Sequence, residues 1–169
     1  LLWLLSDARN DAALEAAIAR LPRGSGFVFR HYHLAPGPRA ARWHALRRLA
    51  QARGHLAIYA GPADEARALG ADGVYGAPVS PHAARELLTL ATAHDLAQLA
   101  GAVRRGADAI LLSPVFPTRS HPGAPTLGPL RFRLLAARAG VPVIALGGMT
   151  RAQARRMRWP RWAAIDGLA

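Results

Sequence analysis

At 169 residues, about half of them apolar, the chain has the length and composition of one domain with a sizeable core. The absence of cysteine excludes disulfides and thiolate metal centres, and no apolar run approaches the ~20 residues that a membrane span needs. A formal charge of +12, carried by 22 arginines and no lysine, reads as an anionic partner or as a bias toward Arg and Ala codons, and the missing lysine favours the bias.

The opening run Leu1–Leu5 is too short for a signal-peptide core and lacks a basic lead-in. It reads as a buried strand, and the protein as soluble and cytoplasmic. Further strand-like apolar runs follow at Gly26–Arg30, Leu56–Tyr59, Gly73–Tyr75, Leu88–Ala91, Ala109–Ser113, Pro142–Leu146 and Ala163–Ile165. Helical patterns lie between them. Asp11–Arg20 places Leu14, Ala17, Ile18 and Leu21 on one stripe, and Arg39–Arg53 places Ala41, Ala45, Leu46 and Leu49 opposite its arginines. Pro62–Leu69, Pro81–Leu87, Asp95–Arg105, Leu130–Arg138 and Thr150–Arg158 supply the rest, with Asp95 and Thr150 as N-caps and Pro62 and Pro81 in first turns. Trp43 is expected to pack on the sheet from its helix.

A repeat organises the second half. Gly70-Ala71-Asp72, a short apolar strand and a Gly/Pro/Ser loop recur at Gly106-Ala107-Asp108, and more weakly from Gly140. The steps, 36 and 34 residues, suit βα units, with two strands inside the first. Strands alternating with helices imply parallel pairing, since parallel strands need crossovers. Eight such units predict a compact α/β fold, a (β/α)8 TIM barrel over residues 1–169 as a single domain. An open doubly wound sheet is the alternative. Barrels usually run to ~250 residues, and this chain stops just after the eighth strand. The final helix is therefore expected to be missing, with one flank of the barrel bare or covered by a partner.

Chemistry is expected where barrels keep it, at the C-terminal ends of the strands. After the sixth strand, Ser113 to Pro125 packs Thr118, Ser120, Arg119 and His121 into a proline-rich loop. Hydroxyls and cations suit a diphosphate, while the plainer reading is a stiffened surface loop. After the seventh strand, Gly147-Gly148 permits close backbone approach to an anion. His31 and His33, one residue apart past the second strand, share a face, and a loop-surface role is the expectation for both. His44, His55 and His82 have no evident partners.

The order Gly-Ala-Asp, strand, Pro-Val-Phe-Pro-Thr, Pro-Gly-Ala-Pro, Leu-Gly, helix, Val-Pro-Val-Ile-Ala and Gly-Gly, from Gly70 to Thr150, resembles the thiamine phosphate synthase/TenI family. Weaker matches are Leu4-Leu5-Ser6-Asp7 at the first strand and Thr92-Ala93-His94 after the fifth. The resemblance implies an enzyme of thiamine biosynthesis. It would condense 4-amino-2-methyl-5-pyrimidinylmethyl diphosphate with thiazole phosphate, giving thiamine phosphate and pyrophosphate. Diphosphate leaves, a stabilised pyrimidinylmethyl cation forms, and the thiazole nitrogen captures it. The family motifs place Arg30 on the diphosphate, Thr118 and Ser120 as a hydroxyl pair, His121 in place of a lysine, Gly147 and Gly148 on the thiazole phosphate, and Thr92 and His94 at the strand-five motif. Arg30, Thr92, His94 and His121 are thus the catalytic candidates.

The chain departs from the family at its metal site. The resemblance implies Mg2+, held by aspartates after the third and fourth strands, but Tyr59-Ala60 and Tyr75 to Ser80 contain no carboxylate. Val28 replaces a glutamine in the strand-two motif, and Asp166 falls near the implied phosphate. The TenI branch, a thiazole tautomerase, needs no metal. Its histidine acid/base, however, falls at Pro114 here, leaving His121 or His94 to carry the proton. A catalytically degenerate precursor-binding protein is the remaining alternative. The expected partners are the phosphorylated thiazole, the pyrimidine diphosphate and other copies of the chain. No nucleic-acid partner is expected, because the nearest basic-aromatic tract (Arg155, Arg156, Arg158 and Arg161 with Trp159 and Trp162) reads as a solvated helix face.

Overall fold

A computed structural model describes residues 1–76, 86–120 and 122–168. Eight strands, β1 (Leu2–Leu5), β2 (Gly26–Phe29), β3 (Leu56–Tyr59), β4 (Gly73–Tyr75), β5 (Leu88–Ala93), β6 (Ala109–Leu112), β7 (Val143–Ala145) and β8 (Trp162–Ala164), pair in chain order. Every pairing is parallel, and β8 closes on β1. Between them run α1 (Leu14–Arg20), α2 (Pro36–Ala52), α3 (Ala63–Ala68), α4 (Leu96–Arg104), α5 (Gly128–Ala136) and α6 (Arg151–Met157). This is the (β/α)8 barrel. The helix expected over Pro81–Leu87 lies mostly outside the described residues, as do His82, Ser80 and His121.

Alternation along each strand separates two cores. Trp3, Leu5, Val28, Ile58, Leu90, Leu111, Ile144 and Ala163 fill the barrel. Leu2, Leu4, Phe27, Phe29, Tyr59, Ile110, Leu112 and Trp162 face the helices. Because both faces are apolar, the strands read as continuous runs rather than as alternating ones. The indole of Trp3 occupies the barrel axis only because its partner across β1 and β2 is Gly26, where a Cβ would lie 2.1 Å from the ring. Trp43 is fully buried against Phe29 and Tyr59 and donates its indole N–H to the Leu69 carbonyl at 3.0 Å.

The Gly-Ala-Asp repeat is structural. Gly70 and Gly106 close α3 and α4 with φ of +67° and +76°, values a side chain disfavours. Two residues on, Asp72 accepts the Ala57 N–H at 2.7 Å, and Asp108 accepts the Thr89 N–H at 2.7 Å. Each aspartate thereby latches the start of the preceding strand, at the rim opposite the strand ends where chemistry is expected.

Several boundaries differ from the sequence reading. The first helix begins earlier, as a 3-10 turn over Ala8–Ala13 that Asp7 opens with a capping box: Asp7 accepts from Arg9 N, and Asn10 accepts from Asp7 N. Helix α2 starts at Pro36, and Pro62 is the N-cap of α3 rather than its first turn. Asp95 and Thr150 cap α4 and α6 as expected. Strand β5 extends to Ala93, which puts Thr92 in the barrel wall.

Candidate functional site

Six inward-facing residues at the C-terminal strand ends, Arg30, Tyr75, Thr92, Ser113, Leu146 and Ile165, line one cavity of about 850 Å3. That size suits a small-molecule ligand. Thr118, Arg119, Ser120 and Arg131 from the strand-six side, Gly147 and Gly148 after β7, His94 after β5 and Asp166 after β8 complete the wall. The structure thus gathers Arg30, Thr92, His94, Thr118, Ser120, Gly147 and Gly148 around one space.

The loops after β6 and β7 are joined by backbone. Val115 N–H donates to Leu146 O at 2.9 Å, and Phe116 N–H to Gly147 O at 3.0 Å. Gly147 (φ +89°) and Gly148 (φ +61°) meet the strand-six loop so closely that added Cβ atoms would lie 2.6 Å from Pro114 Cα and 2.3 Å from Pro117 O. Glycine is required there by conformation and by contact. Thr118 Oγ1 accepts the Ser120 N–H at 3.3 Å, folding the hydroxyl pair together.

Arg30 is anchored on the first strand's end. Its N–H donates to Ser6 Oγ at 2.7 Å, its Nε to Ser6 O at 3.1 Å, and a terminal nitrogen to Asp7 at 3.1 Å. Burial pushes the Asp7 carboxyl up, but hydrogen bonds from the Arg9 side chain and backbone, with the charges of Arg9 and Arg30, outweigh it and hold the group below its usual value. Arg9 bridges the site: it pairs with Asp7 at 2.8 Å and Asp166 at 3.4 Å, and donates to Ser120 Oγ at 2.9 Å, 111 residues away. Nothing in the sequence signalled Arg9 as part of the site. The one local signal that could have pointed to its turn is the Asp7-x-x-Asn10 spacing, which the reading of the first helix from Asp11 passes over.

His94 points Nδ1 at the Ser113 carbonyl, 2.7 Å away. A carbonyl only accepts, so Nδ1 donates to it, which leaves Nε2 as the ring nitrogen available to a ligand.

The expectation of a loop-surface role fails for His31. Its side chain is buried, stacked on Phe29 with ring centroids 4.6 Å apart, and bonded to Ser6 Oγ at 2.8 Å and Asp11 Oδ1 at 2.7 Å. Burial is the main cause that lowers its pKa, against the opposing pull of Asp11. Burial lowers that of His55 as well. A folded-state pKa below the unfolded value of about 6.5 means that the unfolded chain binds protons first as pH falls. The stability these neutral histidines contribute is therefore present above pH ~6.5 and is lost below it. Asp7, Asp11 and Glu15, all held below their usual values, add a second loss at lower pH. Thermal melts should show a midpoint that declines from pH 7 to 5.5 and again below pH ~4. A flat profile from 7 to 5.5 would contradict the neutral buried imidazoles.

Among the described residues, those that follow β3 do not fit a divalent cation. Ala60 is buried, its side chain carries no metal-binding atom, and its carbonyl already accepts from Arg39. Tyr59 faces the helices, gives its hydroxyl hydrogen to Glu65 at 2.6 Å, and is pushed up to about 12 by burial and that bond. Asp166 is the single carboxylate of the cavity wall among the described residues, and Arg9 pairs with it. No group of three or more His, Asp or Glu side chains suited to a metal occurs among those residues. No described helix is long and apolar enough to cross a membrane.

Comparison with known proteins places these features in context. The family model described as Thiamine monophosphate synthase matches residues 3–168. The thiamine-phosphate synthase of Chloroflexus aurantiacus is 32% identical over 99% of this chain and 82% of its own length, and that of Pyrococcus furiosus is 26% identical over 99% and 83%. A 59-residue stretch is 42% identical to a protein of Aquifex aeolicus, covering 35% of this chain and 32% of that one. Among solved structures, thiamine phosphate pyrophosphorylase from Pyrococcus furiosus matches with a TM-score of 0.80 at 23% identity, over 97% of this chain and 84% of that one. Citrate synthase SbnG matches with 0.61 at 13% identity, over 98% and 86%. Likeness of shape at such identities establishes the barrel alone.

Proposed function

The chain belongs to the thiamine monophosphate synthase family, and on that premise we propose that it joins 4-amino-2-methyl-5-pyrimidinylmethyl diphosphate to thiazole phosphate, a group transfer in the cytoplasm that yields thiamine phosphate and pyrophosphate. One observation carries this reading: Arg30, the Thr118–Ser120 hydroxyls and the Gly147-Gly148 turn surround a single cavity of about 850 Å3.

The C–O bond to the diphosphate breaks with its electron pair leaving on pyrophosphate, and the thiazole nitrogen lone pair forms the new C–N bond. No electron is gained or lost overall. The demand on the protein is charge stabilisation of the leaving group and alignment of the nucleophile. Arg30, held by Ser6 and Asp7 before substrate arrives, supplies a preorganised cation. Thr118 and Ser120 donate to diphosphate oxygens, with Ser120 placed by Arg9. Gly147 and Gly148 line the cavity where the family motif puts the thiazole phosphate. Thr92 and the free Nε2 of His94 orient the heterocycles. His121, a family-implied position in the same loop, lies outside the described residues.

The test is a direct assay of purified protein with both substrates, in Mg2+ and in EDTA. Thiamine phosphate and pyrophosphate should appear in equal amounts, and EDTA should leave turnover unchanged, since among the described residues the cavity wall offers one carboxylate, Asp166, which Arg9 already pairs. Abolition by EDTA would reject the metal-free part, and no product in either buffer would reject the synthase. A second reading, precursor binding without turnover, is favoured by the missing carboxylates. Calorimetry that detects thiazole phosphate binding in a protein giving no product would select it.

A further inference from the structure

Resting on the reading of Arg30 as an anion ligand, we infer that buried His31 is a positioning residue, whose ring orients the Ser6 hydroxyl and through it the Arg30 backbone N–H, the point from which the Arg30 side chain projects.

Ser6, His31 and Asp11 stand in hydrogen-bond order, Oγ to Nδ1 at 2.8 Å and Nε2 to Oδ1 at 2.7 Å. That order suits an activated hydroxyl nucleophile, but Ser6 is fully buried and does not line the cavity. Its oxygen already accepts the Arg30 N–H at 2.7 Å. The array therefore orients groups and does not attack a substrate.

The polarity of each bond follows from the chemistry of its partners. An ionised carboxylate only accepts, so Asp11 takes the Nε2–H, and Nδ1 of the neutral ring keeps its lone pair. Nδ1 then accepts the Ser6 hydroxyl hydrogen, which leaves the Ser6 oxygen free to accept from Arg30 N–H. Arg30 Nε returns to Ser6 O at 3.1 Å. From Asp11 to Arg30 every donor has one acceptor and one orientation.

Protonation of His31 breaks this order. Nδ1 becomes a donor and takes the Ser6 oxygen as its acceptor, so the hydroxyl hydrogen must turn away into a buried space. The groups facing His31 are Asp11 on the 3-10 turn, with Arg42 of α2 bonded to the same carboxylate at 2.8 Å, His33 with its ring 5.0 Å away, and the uncharged Phe29 of β2. Burial, His33 and Arg42 favour the neutral ring, and Asp11 opposes them.

Linkage supplies a test whose sign discriminates. Sulfate remains a dianion throughout the histidine range. If neutral His31 supports anion binding, bound sulfate must lower the His31 pKa, and each unit of fall corresponds to a tenfold difference in affinity between the two protonation states. A bystander imidazole near a bound dianion would be raised instead. The ring nitrogens of His31 are followed by 15N NMR from pH 8 to 5, with and without sulfate, and Arg30 Nε reports occupancy. We expect a fall of about one unit in the intact protein, and none in Ser6→Ala, where the relay is cut while the histidine still titrates. A rise or no change in the intact protein overturns the proposal, as does a fall that survives in Ser6→Ala. Should Ser6→Ala not fold, the sign in the intact protein decides alone. If sulfate leaves Arg30 unperturbed, Arg30 is not an anion ligand, and the functional reading fails along with this one.

Discussion

Replacing Arg30 by Met should lower kcat/KM for the two-substrate condensation by about 10²-fold or more, the scale of losing one preorganised donor to a developing anion. Fold stability should change little by comparison. Asp7 retains Arg9 at 2.8 Å when Arg30 is gone, and Ser6 keeps the backbone N–H of residue 30. The cost in stability is then about 1–2 kcal/mol for the lost side-chain hydrogen bonds. Arg30→Lys should recover only part of the activity, because an ammonium cannot reproduce the guanidinium's reach to both Ser6 O and Asp7. Steady-state kinetics beside a urea titration separate the two effects. Wild-type turnover in Arg30→Met would remove Arg30 from the site.

The second large effect is expected at Gly148. Alanine there must adopt φ near +61° and place its Cβ 2.3 Å from Pro117 O and 2.9 Å from Phe116 Cβ. The left-handed conformation costs about 1–2 kcal/mol, and overpacking a fixed contact adds about 1–3. The strand-six loop must withdraw, carrying Thr118 with it. We expect an unfolding free energy lower by about 2–5 kcal/mol and at least tenfold weaker binding of thiazole phosphate. Gly123→Ala is the control. It shares a positive φ, +76°, but nothing lies within 4 Å of its added Cβ, so only the conformational cost should appear. Equal stability loss in the two variants would show that the contact between the loops contributes nothing.

Much of the barrel was legible because its signals are local. The Gly-Ala-Asp repeat, the caps at Asp95 and Thr150, and the apolar runs each reside within a few residues. The strand ends are less clear, since double-sided burial hides alternation; the apolar pattern ends the fifth strand at Ala91, and the structure carries it on to Ala93. The Gly147-Gly148 turn and the hydroxyl loop were visible as motifs, and the fold supplied their shared cavity. What composition and spacing could not reveal depends on partners far apart in sequence. His31 looked like a surface residue because Ser6 and Asp11 precede it by 25 and 20 positions. Arg9 had no motif at all, for its contact with Ser120 exists only once β1 and β6 share a rim.

The aspartate latches have a consequence for how such a molecule changes. Asp72 and Asp108 secure strand starts on the far side of the barrel from the cavity. The scaffold's fasteners and the groups that line the cavity therefore sit at opposite poles. Side chains around the cavity can be exchanged without loosening a single stave. Selection can then rewrite the ligand chemistry of this molecule while its architecture stays under separate control.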